Sequence, residues 1–183
     1  MLRLLYETAL RASEAANARE ADLQLIRGRW WLHVVGKGDT EGRVPLSETL
    51  MREFARYRSF LGLAPTPQAD NRRPLILGIA GRERAMTPTA IYLIVKDTFG
   101  RIANQWEAAD PVRAARLRHV STHWLRHTAA SHQADDGNPI HHIQQNLRHS
   151  SIATTSLYLH AEDDARHAAT TEGRSDQRHD EAR

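Results

Sequence analysis

The sequence predicts a mainly α-helical protein with one small three-stranded antiparallel β-sheet (α+β). Most of the chain carries apolar residues at intervals of three and four, which is typical of amphipathic helices. Only residues 23–46 differ, with short runs rich in Leu, Ile, Val and Trp between glycine turns. No internal repeat is present, and 183 residues suffice for one sizeable core.

The first 46 residues contain two short helices and then the sheet. Apolar spacing from Leu2 to Ala9 indicates the first helix, and Ser13 suits the N-cap of a second helix ending near Ala18. The runs LQLIRG and RWWLHVVGK predict a β-hairpin, and RVPL returns as the third strand. Because alternate strand residues face opposite sides, we expect one of Trp30 and Trp31 in the core and the other exposed or at an interface.

The remainder of the chain is predicted to be helices joined by loops. Three prolines and the absence of periodicity make residues 64–74 a loop, and the pattern assigns no element to residues 107–120. Helices are predicted from cap residues and periodicity over Ser47–Gly62, Pro88–Trp106, Thr122–Ala134 and Pro139–Leu147, and from Ser150 or Ser151 to near His160. Residues 166–183 form a polar tail that we expect to be disordered.

Charge is distributed unevenly along the chain. Residues 1–160 hold 21 bases and 15 acids, whereas residues 161–183 hold four bases and seven acids. Only Lys37 and Lys96 are lysines, so the basic body is almost entirely arginine. Arginine binds phosphate through a planar, bidentate contact, so this body suits a phosphate-containing partner. A GC-rich genome would also favour arginine codons, and composition does not separate the two explanations.

Two segments carry residues suited to phosphodiester chemistry. In THWLRHTAASH, His123 and Arg126 lie three apart and share one helix face, which sets a titratable imidazole beside a fixed cation. In LRHSSIATTSLYLH, His149 precedes Tyr158 by nine residues. A phenol with a free pKa of about 10 needs nearby cations and a proton acceptor to act as a nucleophile. Either segment alone is weak evidence, since surface pairs and half-buried tyrosines are common.

The combination of four motifs in order is far more specific, and with it the sequence resembles the tyrosine recombinases (phage integrase family). The matching segments are Leu10-Arg11-Ala12-Ser13-Glu14; Gly36-Lys37-Gly38 with Arg43-Val44-Pro45-Leu46; His123-Trp124-Leu125-Arg126-His127-Thr128; and Leu147-Arg148-His149-Ser150-Ser151 with Thr154-Thr155 through Tyr158. The resemblance covers residues 1–165 and implies the catalytic-domain fold of that family, with the family's N-terminal DNA-binding domain absent.

The resemblance implies site-specific DNA recombination through a 3′-phosphotyrosyl intermediate, without a metal or other cofactor. It makes Tyr158 the nucleophile, Arg11 and Arg126 the phosphate clamp, and Lys37 the acid that protonates the departing 5′ oxygen. It implies that His123 is the acid–base partner and that His149 hydrogen-bonds a phosphate oxygen. Glu14 lies one helical turn beyond Arg11 and is expected to orient a neighbouring catalytic group.

The implied partner is double-stranded DNA, with self-association into a tetramer on DNA in the full-length protein. The absence of cysteine and of an apolar run of about 20 residues predicts a cytoplasmic protein that does not enter a membrane. Loop and connector arginines are candidates for DNA-backbone contact: Arg72, Arg73, Arg82, Arg84, Arg113, Arg116 and Arg118. The position before His149 is usually glycine in the family, and here it is Arg148.

Three other interpretations remain open at this stage. Eleven histidines, with His123 and His127 four apart, suggest a metal site, but no H-E-x-x-H motif or third ligand accompanies them. A catalytically inert DNA-binding fragment of an integrase is the main alternative. A type IB topoisomerase shares the chemistry, although its motif spacing fits less well.

Overall fold

The computed structural model describes residues 1–36, 40–68, 71–78, 84–148 and 152–156. Its helices are α1 (Leu2–Thr8), α2 (Ala12–Asn17), α3 (Glu48–Phe60), α4 (Pro88–Trp106), α5 (Pro111–His119), α6 (Thr122–Asp135), α7 (Ile140–Leu147) and α8 (Ile152–Ser156). The strands are β1 (Leu23–Ile26), β2 (Arg29–Val35) and β3 (Glu41–Pro45). They form one antiparallel sheet in the order β1-β2-β3, as the sequence predicts.

Side-chain caps define the starts of helices α3, α4, α5 and α6. Ser47 accepts a hydrogen bond from the Leu50 N–H, and Thr87 accepts one from the Ala90 N–H ahead of a helix with proline in its first turn. Two predicted caps are wrong by one or two positions. Arg11, not Ser13, is the N-cap of α2, and Ser121, not Thr122, is the N-cap of α6.

A main apolar core joins α1, α2, the sheet and α4. Its fully buried side chains include Leu5, Leu10, Leu32, Val44 and Ile91. A smaller core of Ala9, Ala129, Ala130, Ala134, Ile143 and Leu147 packs α6 and α7 on the end of α1. Because these interface residues are mostly alanines, the helix backbones approach closely and bring the end of α7 next to the turn after α1.

The two adjacent tryptophans lie on opposite faces of β2, as strand alternation predicts. Trp30 packs against the main core, whereas Trp31 lines an open cleft on the other face of the sheet. Outside the lining of that cleft, Glu20 and Arg58 form a buried ion pair, and the Arg58 Nε donates to the Ala64 carbonyl at 2.6 Å. This pair anchors α3 to the segment before β1, and no local sequence pattern indicates it.

Candidate functional site

Arg11 lies where the turn between α1 and α2 meets the interior. Ala9 ends α1 in a left-handed conformation (φ 50°), and Arg11 then starts α2. The Arg11 N–H donates to Glu14 Oε2 at 2.7 Å, and its Nη1 donates to Glu14 Oε1 at 2.9 Å. The helix start therefore fixes the guanidinium against Glu14, while 38% of the Arg11 side chain stays exposed.

Glu14 is surrounded by three arginines from separate parts of the chain. Besides Arg11, Arg126 Nη1 lies 3.8 Å from Glu14 Oε2, and Arg148 donates to both carboxylate oxygens. Only 2% of the Glu14 side chain is exposed. We call Arg11, Glu14, Arg126 and Arg148 the arginine cluster. With three guanidinium groups and one carboxylate, these four residues carry a net charge of +2.

The arginines keep Glu14 ionised despite its burial. Burial alone would raise the pKa of this carboxyl. The hydrogen bonds and positive charge of Arg148, together with the hydrogen bonds from Arg11, outweigh burial and leave the Glu14 pKa below its usual value. The cluster therefore retains one fixed negative charge at neutral pH, which holds the guanidinium groups in place.

Arg126 is held by backbone carbonyls as well as by Glu14. Its side chain is 3% exposed, its Nη1 donates to the Ala9 carbonyl at 2.5 Å, and its Nη2 donates to the Leu147 carbonyl. Ala9 caps the end of α1 just before the first predicted motif, and Leu147 ends α7 at the start of the last one. One guanidinium from the second turn of α6 therefore holds these two helix ends together. Arginine suits this role because its planar fork donates to several acceptors at once.

His123 lies one turn before Arg126 on α6, but in a different environment. Its side chain is exposed, and its Nε2 lies 2.6 Å from the Nε2 of His127. One of these nitrogens must donate and the other accept, so the two rings cannot both be protonated while the bond exists. Burial, then the positive charges of His123 and Arg126, lower the pKa of His127. The neutral form of His127 is therefore favoured.

Lys37, His149 and Tyr158 lie outside the described residues, but segments next to two of them adjoin the arginine cluster. Gly36 is so close to Glu14 that a Cβ on this glycine would lie 3.3 Å from Glu14 Oε1. Leu147, two residues before His149, accepts a hydrogen bond from Arg126. The described part of α8, Ile152–Ser156, reaches to two residues before Tyr158. The segments next to Lys37 and His149 thus adjoin the arginine cluster, whereas the described part of α8 packs on α7.

An open cleft of about 1310 Å³ runs between the outer face of the sheet and α7. Arg27, Arg29 and Arg43 are exposed around it, and Trp31 and Arg148 also belong to its lining. Sequence reasoning missed these strand arginines, although period-two alternation places Arg29, Trp31 and Arg43 on the face opposite the core. The cleft is basic and lies directly beside the arginine cluster through their shared residue, Arg148.

The predicted DNA-contact arginines have varied surroundings. Arg113 stacks on Trp106, with its Cζ 3.7 Å from the ring centroid, and Arg118 pairs with Glu107. Arg73 is half-buried, and its Nε lies 3.9 Å from Glu20. Arg72, Arg84 and Arg116 are exposed. Arg82 lies outside the described residues.

Within the described part of the chain, no group of three or more His, Asp or Glu side chains is arranged to hold a metal ion. His123 and His127 are adjacent, but no third ligand from these residues joins them. Over the same residues, no helix combines the length and apolar character needed to cross a bilayer.

Comparison with known proteins places the fold and the motifs in one family. The sequence matches the phage integrase family over residues 1–165. The chain belongs to the phage integrase family. Its curated relatives include tyrosine recombinase XerD of Staphylococcus epidermidis, 33% identical over 164 residues, and tyrosine recombinase XerC of Mycobacterium sp. (strain KMS), 31% identical over 160 residues. Each match covers 87% of this chain but 48% of the relative, so the chain spans about half the length of these proteins.

Solved structures of the same family share the fold. The XerA recombinase superposes with a TM-score of 0.62 at 28% identity, covering 92% of this chain and 55% of that one. The Tn1549 transposon integrase in complex with transposon right end DNA superposes with a TM-score of 0.64 at 20% identity. This match covers 93% of this chain and 57% of the integrase chain. XerH bound to a palindromic difH substrate after cleavage superposes with a TM-score of 0.61 at 23% identity. This match covers 93% of this chain and 43% of the XerH chain. The last two comparisons concern the fold alone. The predicted fold class and family resemblance are confirmed.

Proposed function

We propose that this chain is the catalytic domain of a site-specific recombinase that cleaves and rejoins duplex DNA. The observation that carries the proposal is the arginine cluster, in which one buried carboxylate faces three guanidinium groups. A net charge of +2 at one partly open site favours an anion. A phosphodiester supplies one negative charge and two non-bridging oxygens, which match the paired N–H groups of a guanidinium.

Within the cluster, the two proposed clamp residues differ in freedom. Arg11 has both a fixed contact to Glu14 and an exposed portion that a DNA phosphate could meet. Arg126 is buried and oriented by two backbone carbonyls, so its geometry is set before substrate binds. Preorganised charge of this kind stabilises a phosphorane-like transition state without further reorganisation. Arg11 and Arg126 therefore form the proposed phosphate clamp.

The proposed reaction exchanges one phosphodiester for another. The hydroxyl oxygen of Tyr158 attacks phosphorus, forming a bond to the 3′-phosphate, and the bond from phosphorus to the 5′ oxygen breaks. His123 accepts the phenol proton, Lys37 protonates the departing 5′ oxygen, and His149 hydrogen-bonds a non-bridging oxygen. In rejoining, a 5′ hydroxyl displaces Tyr158 by the reverse path. Because bond energy is conserved in the phosphotyrosyl link, the proposed chemistry requires no nucleotide cofactor. The arginines and Lys37 supply the positive charge and the proton that a metal ion would otherwise have to replace, so the proposed reaction uses no metal.

The wider assembly is also part of the proposal. Exposed arginines around the sheet cleft provide a surface for the DNA backbone, next to the arginine cluster. Solved relatives include XerH and Tn1549 integrase in complex with DNA. We propose that the full-length protein recombines DNA as a tetramer in the cytoplasm, for integration or excision of a DNA element.

The proposal is tested with a nicked suicide duplex, in which the strand downstream of cleavage diffuses away and traps the covalent intermediate. The wild-type chain should form a protein–DNA adduct that resists detergent and persists in excess chelator. Tyr158→Phe should bind the duplex with unchanged affinity and form no adduct. An adduct formed equally by this variant would contradict the assignment of the nucleophile.

The main alternative, an inert DNA-binding fragment, is favoured by one observation, because the chain spans about half the length of its relatives. Tight binding of the suicide duplex without any adduct, from protein that unfolds cooperatively, would support this alternative. Relaxation of a supercoiled plasmid without strand exchange would instead indicate topoisomerase activity.

A further inference from the structure

Arg148 occupies a backbone conformation that arginine rarely adopts. It follows the last residue of α7 with φ 52° and ψ 44°, the left-handed region in which a helix usually ends on glycine. The family resemblance predicts glycine here as well. An arginine at such a position strains the backbone. Strain of this kind persists only where contacts from the surrounding structure hold the residue in place.

The side chain of Arg148 points inward, where it does not contact solvent. Only 2% of it is exposed. Its Nε donates to Glu14 Oε1 at 3.2 Å, its Nη2 donates to Glu14 Oε2, and its Nη1 donates to the Asn146 carbonyl at 2.7 Å. The fork of the guanidinium therefore grips both oxygens of one carboxylate, a geometry that lysine cannot reproduce.

The stem of Arg148 crosses the sheet at a glycine. A Cβ on Gly42 would lie 3.1 Å from Cγ and 3.2 Å from Cδ of Arg148. On the neighbouring strand end, a Cβ on Gly36 would lie 3.3 Å from Glu14 Oε1. These two glycines flank the hairpin segment that contains Lys37, so both ends of the segment pack on the Glu14–Arg148 pair.

We infer that Arg148 is a positioning residue that joins three parts of the site: Arg11 through Glu14, the Lys37 hairpin through Gly42, and the end of α7 before His149. Its effect on cleavage rests on the proposed function, whereas the packing itself does not. In this role Arg148 acts through Glu14 and Gly42 and not on DNA, because its guanidinium is committed to Glu14 and to the Asn146 carbonyl. It acts by keeping Glu14 ionised and by packing against Gly42 of the hairpin.

The first test is structural and requires no activity. Arg148→Gly relieves the backbone strain but removes the grip on Glu14, so Glu14 should titrate at higher pH when its side-chain carboxyl is followed by carbon-13 NMR. The charged groups facing Glu14 are then Arg11 and Arg126, and these remain in both proteins. Arg148→Lys should restore part of the shift. An unchanged Glu14 titration in Arg148→Gly would overturn the inference.

A double-mutant cycle tests the packing on the sheet. Gly42→Ala should lower the urea midpoint of the wild type, because its new methyl group meets the Arg148 stem. In the Arg148→Gly background the same change should lower the midpoint by less than half as much. Equal losses in both backgrounds would show that Arg148 does not seat the hairpin. If Arg148→Gly fails to fold, the Arg148→Ala chain serves as the second background, because alanine also lacks the Cγ and Cδ atoms that Gly42 meets.

The final test separates positioning from DNA contact. On the suicide duplex, Arg148→Gly should reduce the single-turnover cleavage rate by about tenfold to a hundredfold, as small misplacements of reacting groups do, while the Kd for DNA stays unchanged. A wild-type cleavage rate in this variant would overturn the inference. If the wild type itself forms no adduct, the proposed function fails, and the Glu14 titration and the double-mutant cycle still decide the role of Arg148.

Discussion

Replacing Glu14 by glutamine isolates the charge at the centre of the arginine cluster. Glutamine keeps the shape and one acceptor oxygen but removes the negative charge from a side chain that is 2% exposed. Arg126 and Arg148, both with buried side chains, would then face each other without it. Removal of one partner from a buried ion pair costs about 3–5 kcal/mol, because it leaves a buried charge uncompensated. Since glutamine retains part of the hydrogen bonding, we expect the free energy of unfolding to fall by about 3 kcal/mol.

A loss of that size is easily measured. In a chain of this length 1 kcal/mol corresponds to roughly 2–4 °C in Tm, so Glu14→Gln should melt about 6–12 °C below the wild type. Urea unfolding at pH 7 gives the same quantity from the midpoint and slope. The matched control is Glu48→Gln, since Glu48 pairs with Arg52 at 3.9 Å on the surface of α3 and is 94% exposed. This control should change stability by less than about 0.5 kcal/mol.

The pH dependence has a definite sign. The pKa of Glu14 in the folded protein lies below its usual value of 4.5. Its ionised form therefore contributes stability that is present above the unfolded pKa and is lost as the pH falls through the lower, folded pKa. The difference in unfolding free energy between wild type and Glu14→Gln should be largest near pH 7 and should disappear in acid. Indistinguishable midpoints for Glu14→Gln and Glu48→Gln at pH 7 would refute this reasoning.

Three further predictions concern the chemistry, the core and the DNA surface. Lys37→Ala should slow single-turnover cleavage strongly and be rescued by a 5′-bridging sulfur, whose leaving group needs no proton, whereas Arg11→Ala should not be rescued; equal rescue would refute this division of roles. Arg58→Met should lower the urea midpoint, because Glu20 loses its buried partner, yet leave the cleavage rate of the folded fraction unchanged; a slowed rate would link this pair to the site. Arg43→Ala should reduce the slope of log Kd against log salt by about 1, and the exposed control Arg101→Ala should not; equal slopes would exclude the sheet cleft as a DNA surface.

The parts of the fold that follow local rules could be predicted from the sequence. Ser47 and the Thr87-Pro88 pair start helices as their capping chemistry requires, and strand alternation separates Trp30 from Trp31. α5 was not predictable, because its alternating alanines and arginines form no apolar stripe. Residues 107–120 therefore carry no periodic signal, although Asp110 and Pro111 are suitable as the cap and first residue.

The site could be predicted as a set of motifs but not as an arrangement. The sequence indicates Glu14 as an orienting residue beside Arg11, three positions away. Nothing local shows that Arg148, 134 residues later, reaches the same carboxylate. The missing glycine before His149 is the one signal that marks Arg148, and it does not tell whether the side chain points outward to DNA or inward. Only the packing of α7 on α6 and on β3 decides that.

Cleavage through Tyr158 is tested by the chemical identity of the link between protein and DNA. After trapping on the suicide duplex, the adduct is digested with protease and nuclease and the modified peptide is sequenced by mass spectrometry. We expect a single nucleotide joined through its 3′-phosphate to Tyr158, with a 5′ hydroxyl on the released strand. A link to another residue, or a 5′-phosphate attached to the protein, would contradict it.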